Sequence, residues 1–254
     1  MTTTTAEFAP ATSAVRRWAI LLCLLLASAG FIALGIWQLQ RREWKLDLIE
    51  RVTQRVHAAP MTAPGPDEWS GLTAANAEYR HVSITGRFLH DQETQVHAAT
   101  ALGTGYWVVT PLQTDAGAIV LINRGYVSMD DRDPARRPPA YTNSDTETVT
   151  ITGLLRITEP GGAYLRRNDP AANRWYSRDV VAIAQARSLD AVHLAPYFID
   201  ADAASNMQPG QPVAGLTVVS FHNNHLSYAF TWFALALLPP LGLLFTIRRE
   251  RRLS

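Results

Sequence analysis

The sequence predicts two transmembrane α-helices bracketing one mainly antiparallel β (α+β) periplasmic domain, folded as a small barrel or sandwich. Three observations carry that prediction. No Asp, Glu, Lys or Arg occurs from Trp18 to Gln40 or from Ala203 to Ile247, and Tyr228 to Ile247 is almost wholly apolar. Between these runs, short segments alternate apolar and polar residues, the period-two pattern of half-buried strands. Little helical periodicity interrupts them, which favours an antiparallel sheet closed on itself or packed on a second one.

The elements follow in order. Residues 1–15, rich in Thr and Ala, read as a disordered cytoplasmic tail. Residues 16–40 form the first transmembrane helix, because about 20 apolar residues cover a hydrocarbon core of roughly 30 Å and a backbone at that depth must satisfy its own hydrogen bonds. A cleaved signal is the rival reading, since Arg16 and Arg17 precede Leu21–Leu26 and Ala27-Ser28-Ala29 resembles a signal-peptidase site. The apolar run continues through Phe31, Leu34, Ile36 and Trp37, which favours a retained helix. Residues 41–57 continue as an interfacial helix with Trp44, Leu48 and Val52 on one face. Pro60, Pro64, Gly65 and Pro66 end it.

Strands are predicted at His81–Phe88, Thr94–His97, Gly105–Leu112, Ala118–Val127, Thr148–Arg156, Tyr197–Ile199 and Thr217–Phe221. Asp115 and Gly117 supply a hairpin turn. Asp130–Asn143 reads as an extended loop, and Arg178–Arg187 as one short helix. The β-rich domain thus occupies 41–227, the second transmembrane helix 228–247 and a basic cytoplasmic tail 248–254.

Charge fixes the expected orientation. Arg16 and Arg17 flank the first helix, and Arg248, Arg249, Arg251 and Arg252 follow the second, whereas no Lys or Arg lies within twenty residues before Tyr228. Both termini are therefore expected in the cytoplasm, although Arg41, Arg42 and Lys45 weaken the bias at the first helix. The loop from Arg41 to Ser227 holds 17 basic and 20 acidic residues, so the overall net charge of +1 conceals an acidic centre between basic ends. Nothing in that balance points to nucleic acid. The one cysteine, Cys23, lies in the first apolar run, which excludes a disulfide, a thiolate metal site or a thiol nucleophile in the central domain.

Enzyme signatures are missing: the chain has no His-Glu-X-X-His helix, Gly-X-Ser-X-Gly elbow or phosphate-cradling loop. Asp130-Asp131-Arg132-Asp133 lacks the glycine and distal glutamate of a calcium loop and reads as a solvated segment. His57, His81, His90, His97 and His193 are scattered and read as surface or strand histidines. One constellation stands apart. His225 opens the second apolar helix, with Tyr228 and Trp232 on nearly the same face over about 10 Å. A neutral imidazole there suits a metal or a haem iron, with aromatic rings to pack a macrocycle. The competing reading is an interfacial aromatic belt, which is the commoner origin of such residues. His222 lies one turn earlier. Across the same interface, Arg41, Arg42 and Lys45 suit either carboxylates such as haem propionates or lipid phosphates, and Trp37 lies beside them as a further candidate for the site. Gly35 lets two helices approach closely.

These stretches resemble the surfeit-locus assembly factors of haem–copper cytochrome c oxidase. The resemblance rests on Leu34–Arg41 with Trp44-Lys45, Tyr79–Val82 with Gly86-Arg87-Phe88, Gly105–Leu112 with Asn123–Val127, and Asn224–Phe233. Asn173–Tyr176 and Pro196–Asp200 add to it. It implies a non-enzymatic membrane factor that helps to insert haem a into the largest oxidase subunit, with haem a synthase as a further partner. It also implies His225 as the haem ligand, with Trp232 beside it. The expected setting is a bacterial plasma membrane, because the N-terminus does not read as a mitochondrial presequence. Two alternatives remain: a scaffold for an oxidase intermediate that never touches haem, and a membrane-tethered periplasmic enzyme or sensor.

Overall fold

The computed structural model describes residues 12–137, 147–203, 212–217, 221 and 223–253. In chain order the elements are α1 (Thr12–His57), β1 (Met61–Thr62), α2 (Ala74–Ala77), β2 (His81–Phe88), β3 (Thr94–Thr100), β4 (Gly103–Gln113) and β5 (Ile119–Ser128). There follow β6 (Val149–Ile157), β7 (Gly162–Ala163), β8 (Arg166–Arg167), α3 (Val180–Ala186), β9 (Leu194–Ala201) and α4 (His225–Leu253). They form two compact units, Met1–Glu50 with Ser220–Ser254, and Arg51–Val219.

Both terminal helices are long and apolar enough to cross a membrane, and only 6% of each apolar stretch is buried, unlike the core helix of a globular protein. At 46 residues, α1 is about twice the length a hydrocarbon core requires. Its charged half from Arg41 continues the helix without a break to His57.

The central unit is a barrel rather than a sandwich. Strands β2, β6, β9, β5 and β4 join edge to edge, and β2 returns to β4 through Arg87↔Gln113 and Phe88↔Leu112. Closure comes from shared edges. One edge of β2 serves β1 at Val82 and Ser83 and then β4, while β4 carries β3 along Gly103–Val109 before meeting β2. Gly86 sits where β2 swings to β4, and a Cβ there would run into the Gln113 carbonyl and the Leu112 side chain. The sheet is mixed: β5 and β9 run parallel, with Ile122↔Ile199 and Asn123↔Asp200 in register, and so do β1 and β2. A parallel pair needs a long crossover, and the chain from β6 through α3 supplies one.

Strand β5 is buried on both faces. Val120 and Ile122 point into the barrel with Val82, Ile84, Leu155, Tyr197 and Ile199. Leu121 faces outward onto Val109, Phe198 and Trp175, under Val180 and Ile183 of α3. The Asp179 carboxylate caps α3 by accepting from the Ala182 N–H at 3.1 Å, which explains why the short helix begins there. The expected final strand is not seen at either end, since Thr217 and Phe221 carry no strand and residues 218–220 lie outside the described residues. The acidic segment Asp130–Asp133 is exposed, as expected of a solvated segment, whereas Arg137 further along the same loop is buried and bridges Glu93 at 3.0 Å; residues 138–143 lie outside the described residues.

Sequence reasoning did not anticipate a buried ionic cluster. The Asp200 side chain is 2% exposed. It accepts from Asn123 Nδ2 (2.7 Å), Arg156 NH1 (2.9 Å), Thr217 Oγ1 (2.9 Å) and Arg178 NH1 (3.0 Å). Arg156 also bonds Glu78 at 2.7 Å, and Arg178 bonds Glu159 at 2.6 Å. Both guanidinium groups lie over the Phe198 ring. Burial alone disfavours the Arg156 charge, but Asp200 and Glu78 outweigh it and raise its pKa.

Candidate functional site at the paired apolar helices

Helices α1 and α4 pack antiparallel along a heptad seam. The less exposed positions of α1 fall at Leu21, Leu24, Ser28, Phe31, Gly35, Gln38, Arg42 and Lys45, spaced alternately three and four apart. On α4 they include His225, Ala229, Trp232, Ala236, Pro239 and Leu243, spaced the same way. This is the period of a left-handed helix pair.

Four contacts fix the register. At one end His225 Nδ1 lies 2.7 Å from Gln38 Oε1. Next, Gly35 leaves room for Phe233, whose Cε1 a Cβ would meet at 2.5 Å. Phe31 and Trp232 then stack with centroids 5.9 Å apart and planes at 21°. Finally, Ser28 Oγ donates to Ala236 O at 3.0 Å. That last bond has a local cause. Pro240 has no N–H, so the carbonyl four residues earlier, that of Ala236, loses its intrahelical donor. In an apolar surrounding a serine hydroxyl restores the missing bond.

His225 is half-buried at the first turn of α4, and its backbone N–H is capped by Asn223 Oδ1 at 3.3 Å. One ring nitrogen is committed to Gln38, and among the described residues no group bonds the other. Tyr228 and Trp37 are exposed, at 55% and 53%. Arg41 is drawn aside, its guanidinium 4.0 Å above the Trp44 ring, whereas Arg42 follows the seam. The structure thus joins His225 to α1 through Gln38 and Trp232 to α1 through Phe31, two α1 residues that sequence reasoning did not single out. His222 lies outside the described residues.

The central unit offers less chemistry. Its histidines are occupied individually: His81 by the Ala58 carbonyl and Asp202, His193 by Asp190, and His97 between the rings of Tyr106 and Tyr176. Among the described residues no group of three His, Cys, Asp or Glu is disposed to hold a metal ion. A cleft of about 390 Å³ lies against Trp107, Arg156, Arg178 and Thr217, but Asp200, Glu78 and Glu159 already neutralise its cations.

Comparison with known proteins places this architecture. The model of the SURF1 family matches residues 25–237. Surfeit locus protein 1 of Mus musculus is 35% identical over 228 residues, covering 84% of this chain and 70% of its own. The proteins of that name from Homo sapiens and Takifugu rubripes are 34% and 35% identical, over 84% of this chain and 72% and 90% of theirs.

The chain belongs to the SURF1 family.

The family match begins three residues before Ser28 and ends one residue after Ala236, so all four seam contacts of this SURF1-family chain lie inside it. One signal for the missed partners was present in the sequence. Ser28, Gly35 and Gln38 are small or polar residues at seven- and three-residue spacing within a charge-free run, the pattern by which membrane helices pair.

Proposed function

We propose that this chain is a non-enzymatic membrane factor in the assembly of haem–copper cytochrome c oxidase, which holds haem a through His225 and passes it to the largest subunit. The observation that carries the reading is the state of His225. The ring stands half-buried at the mouth of an apolar helix, with Nδ1 engaged by Gln38 and Nε2 without a partner among the described residues. A haem needs only one axial imidazole, whereas a bare metal ion needs several ligands. The donor set therefore fits a haem. The half-buried Trp232 two turns along α4 and the guanidinium group of Arg42 on the seam suit a macrocycle and its carboxylates, and Arg41 would join them by leaving the Trp44 ring. The haem is cargo, and its own chemistry is not used; the chain's residues bind it, orient it and keep water from it.

In this reading α1 is a retained membrane helix. Ser28, inside the signal-peptidase-like tripeptide, completes the helix seam, so cleavage there would unmake the pair. Antiparallel pairing brings both chain ends to one side of a bilayer, and their arginines select the cytoplasm. The barrel then lies in the periplasm of a bacterial plasma membrane. Deleting the chain from its source cell tests the function. The expected result is an oxidase whose largest subunit contains less haem a, restored by the original chain and not by His225→Ala. Unchanged haem a content in the deletion strain would refute assembly work, and full restoration by His225→Ala would favour a scaffold that does not touch haem.

A further inference from the structure

Gln38 is a large amide in a seam otherwise built from apolar, small or end-flanking residues, and with Gly35 it is the most enclosed position on the apolar part of α1. Burying an amide without a hydrogen bond costs about 1–3 kcal/mol. The bond Gln38 makes is to His225, 187 residues away, at 2.7 Å from Oε1 to Nδ1.

A carboxamide oxygen can only accept. The proton of a neutral His225 ring must therefore reside on Nδ1, and the lone pair falls to Nε2. A free neutral histidine side chain in water prefers the reverse, with the proton on Nε2, which has no lone pair to offer a metal at that atom. The bond also fixes the rotation of the ring, because the acceptor comes from the opposite helix and is itself held by packing. We infer that Gln38 is a positioning residue: it holds His225 in the Nδ1–H tautomer and presents the Nε2 lone pair as a metal ligand. This rests on the reading of His225 as an iron ligand. Outer partners of metal-binding histidines act in this way, and losing one weakens metal binding by about 10- to 100-fold. The competing role for Gln38 is register alone, a buried polar pair that aligns two helices. Register alone would leave haem affinity unaltered in a folded Gln38→Leu chain, so a change of tautomer accompanied by a loss of affinity separates the two roles.

The test uses the full chain in detergent micelles with ¹⁵N-labelled histidine, the His225 signals being assigned by their loss in His225→Ala. Long-range proton–nitrogen correlation reads the tautomer without haem, and titration with ferric haem a, followed at the Soret band, reads binding. The expected result is Nδ1–H in the original chain. Gln38→Leu should shift His225 towards Nε2–H and weaken haem a binding by about 10- to 100-fold. Gln38→Glu, which keeps an acceptor, should retain the original tautomer and bind within about threefold. Nε2–H in the original chain would overturn the inference, as would Gln38→Leu binding within about threefold of it while His225→Ala loses binding. If Gln38→Leu fails to fold, the tautomer of the original chain together with Gln38→Glu still decides. Should the tautomer respond as expected while His225→Ala binds haem a unchanged, Gln38 orients the ring and the assignment of His225 as ligand is what fails.

Discussion

Replacing Asp200 by alanine removes the centre of the ionic cluster that ties β6 and β9 to the segment leading into α3. Four donors lose their acceptor at once: Asn123, Arg156, Arg178 and Thr217, at 2.7–3.0 Å. Breaking a buried ion pair costs about 3–5 kcal/mol, chiefly because the abandoned charge stays buried. Here each arginine keeps another carboxylate, Arg156 that of Glu78 and Arg178 that of Glu159. The cost therefore belongs at the low end, about 3 kcal/mol. With a urea slope of about 2 kcal/mol/M, the midpoint of unfolding falls by about 1.5 M. The assay is urea titration of the full chain in detergent, followed by tryptophan emission, to which the fully buried Trp175 contributes. Asp200→Asn keeps an acceptor and should lose about half as much. A midpoint shift below about 0.25 M for Asp200→Ala would refute the reasoning, because a loss of about 0.5 kcal/mol is what an ordinary surface substitution produces.

Three further outcomes follow from the same structure. Ser28→Ala should loosen the helix pair by about 0.6–1.7 kcal/mol, while Pro240→Ala, which returns a donor to the Ala236 carbonyl, should make Ser28→Ala nearly neutral; a double-mutant cycle on thermal stability in detergent measures the coupling. Gly35→Ala should cost about 1–3 kcal/mol by collision with Phe233, and Phe233→Ala should relieve most of it in the same measurement. His81 donates from both ring nitrogens, to Ala58 O and to Asp202 Oδ2. Burial opposes its charge, but these partners outweigh burial and raise its pKa above 6.5. Its contribution is thus complete below about pH 6.5 and is lost as the pH rises through the folded value. The stability difference between the original chain and His81→Asn, measured by urea titration across that range, should shrink with rising pH.

What could be read from the sequence divides along range. The helices and the strand β2 were legible because hydrophobicity alone determines them: a charge-free run demands internal hydrogen bonding, and His81–Phe88 alternates because one face of β2 enters the barrel. Strand β5 alternates only in part, since Leu121 is covered by α3 on the face that would otherwise meet water. Its parallel pairing with β9 was not legible, because antiparallel hairpins are the local expectation and this pairing depends on a crossover of more than sixty residues. The Asp200 cluster gathers residues from Glu78 to Thr217, and no local pattern marks them as neighbours. For the candidate site, residue type and helical position pointed to His225 and Trp232, but Gln38 and Phe31 are assigned by tertiary contact.

The central claim is that His225 binds haem a, and the most direct measurement is titration of the detergent-solubilised full chain with ferric haem a. The account predicts saturation at one haem per chain, with a histidine-ligated spectrum that His225→Ala loses along with most of the affinity. Equal affinity and an unchanged spectrum in His225→Ala would contradict it.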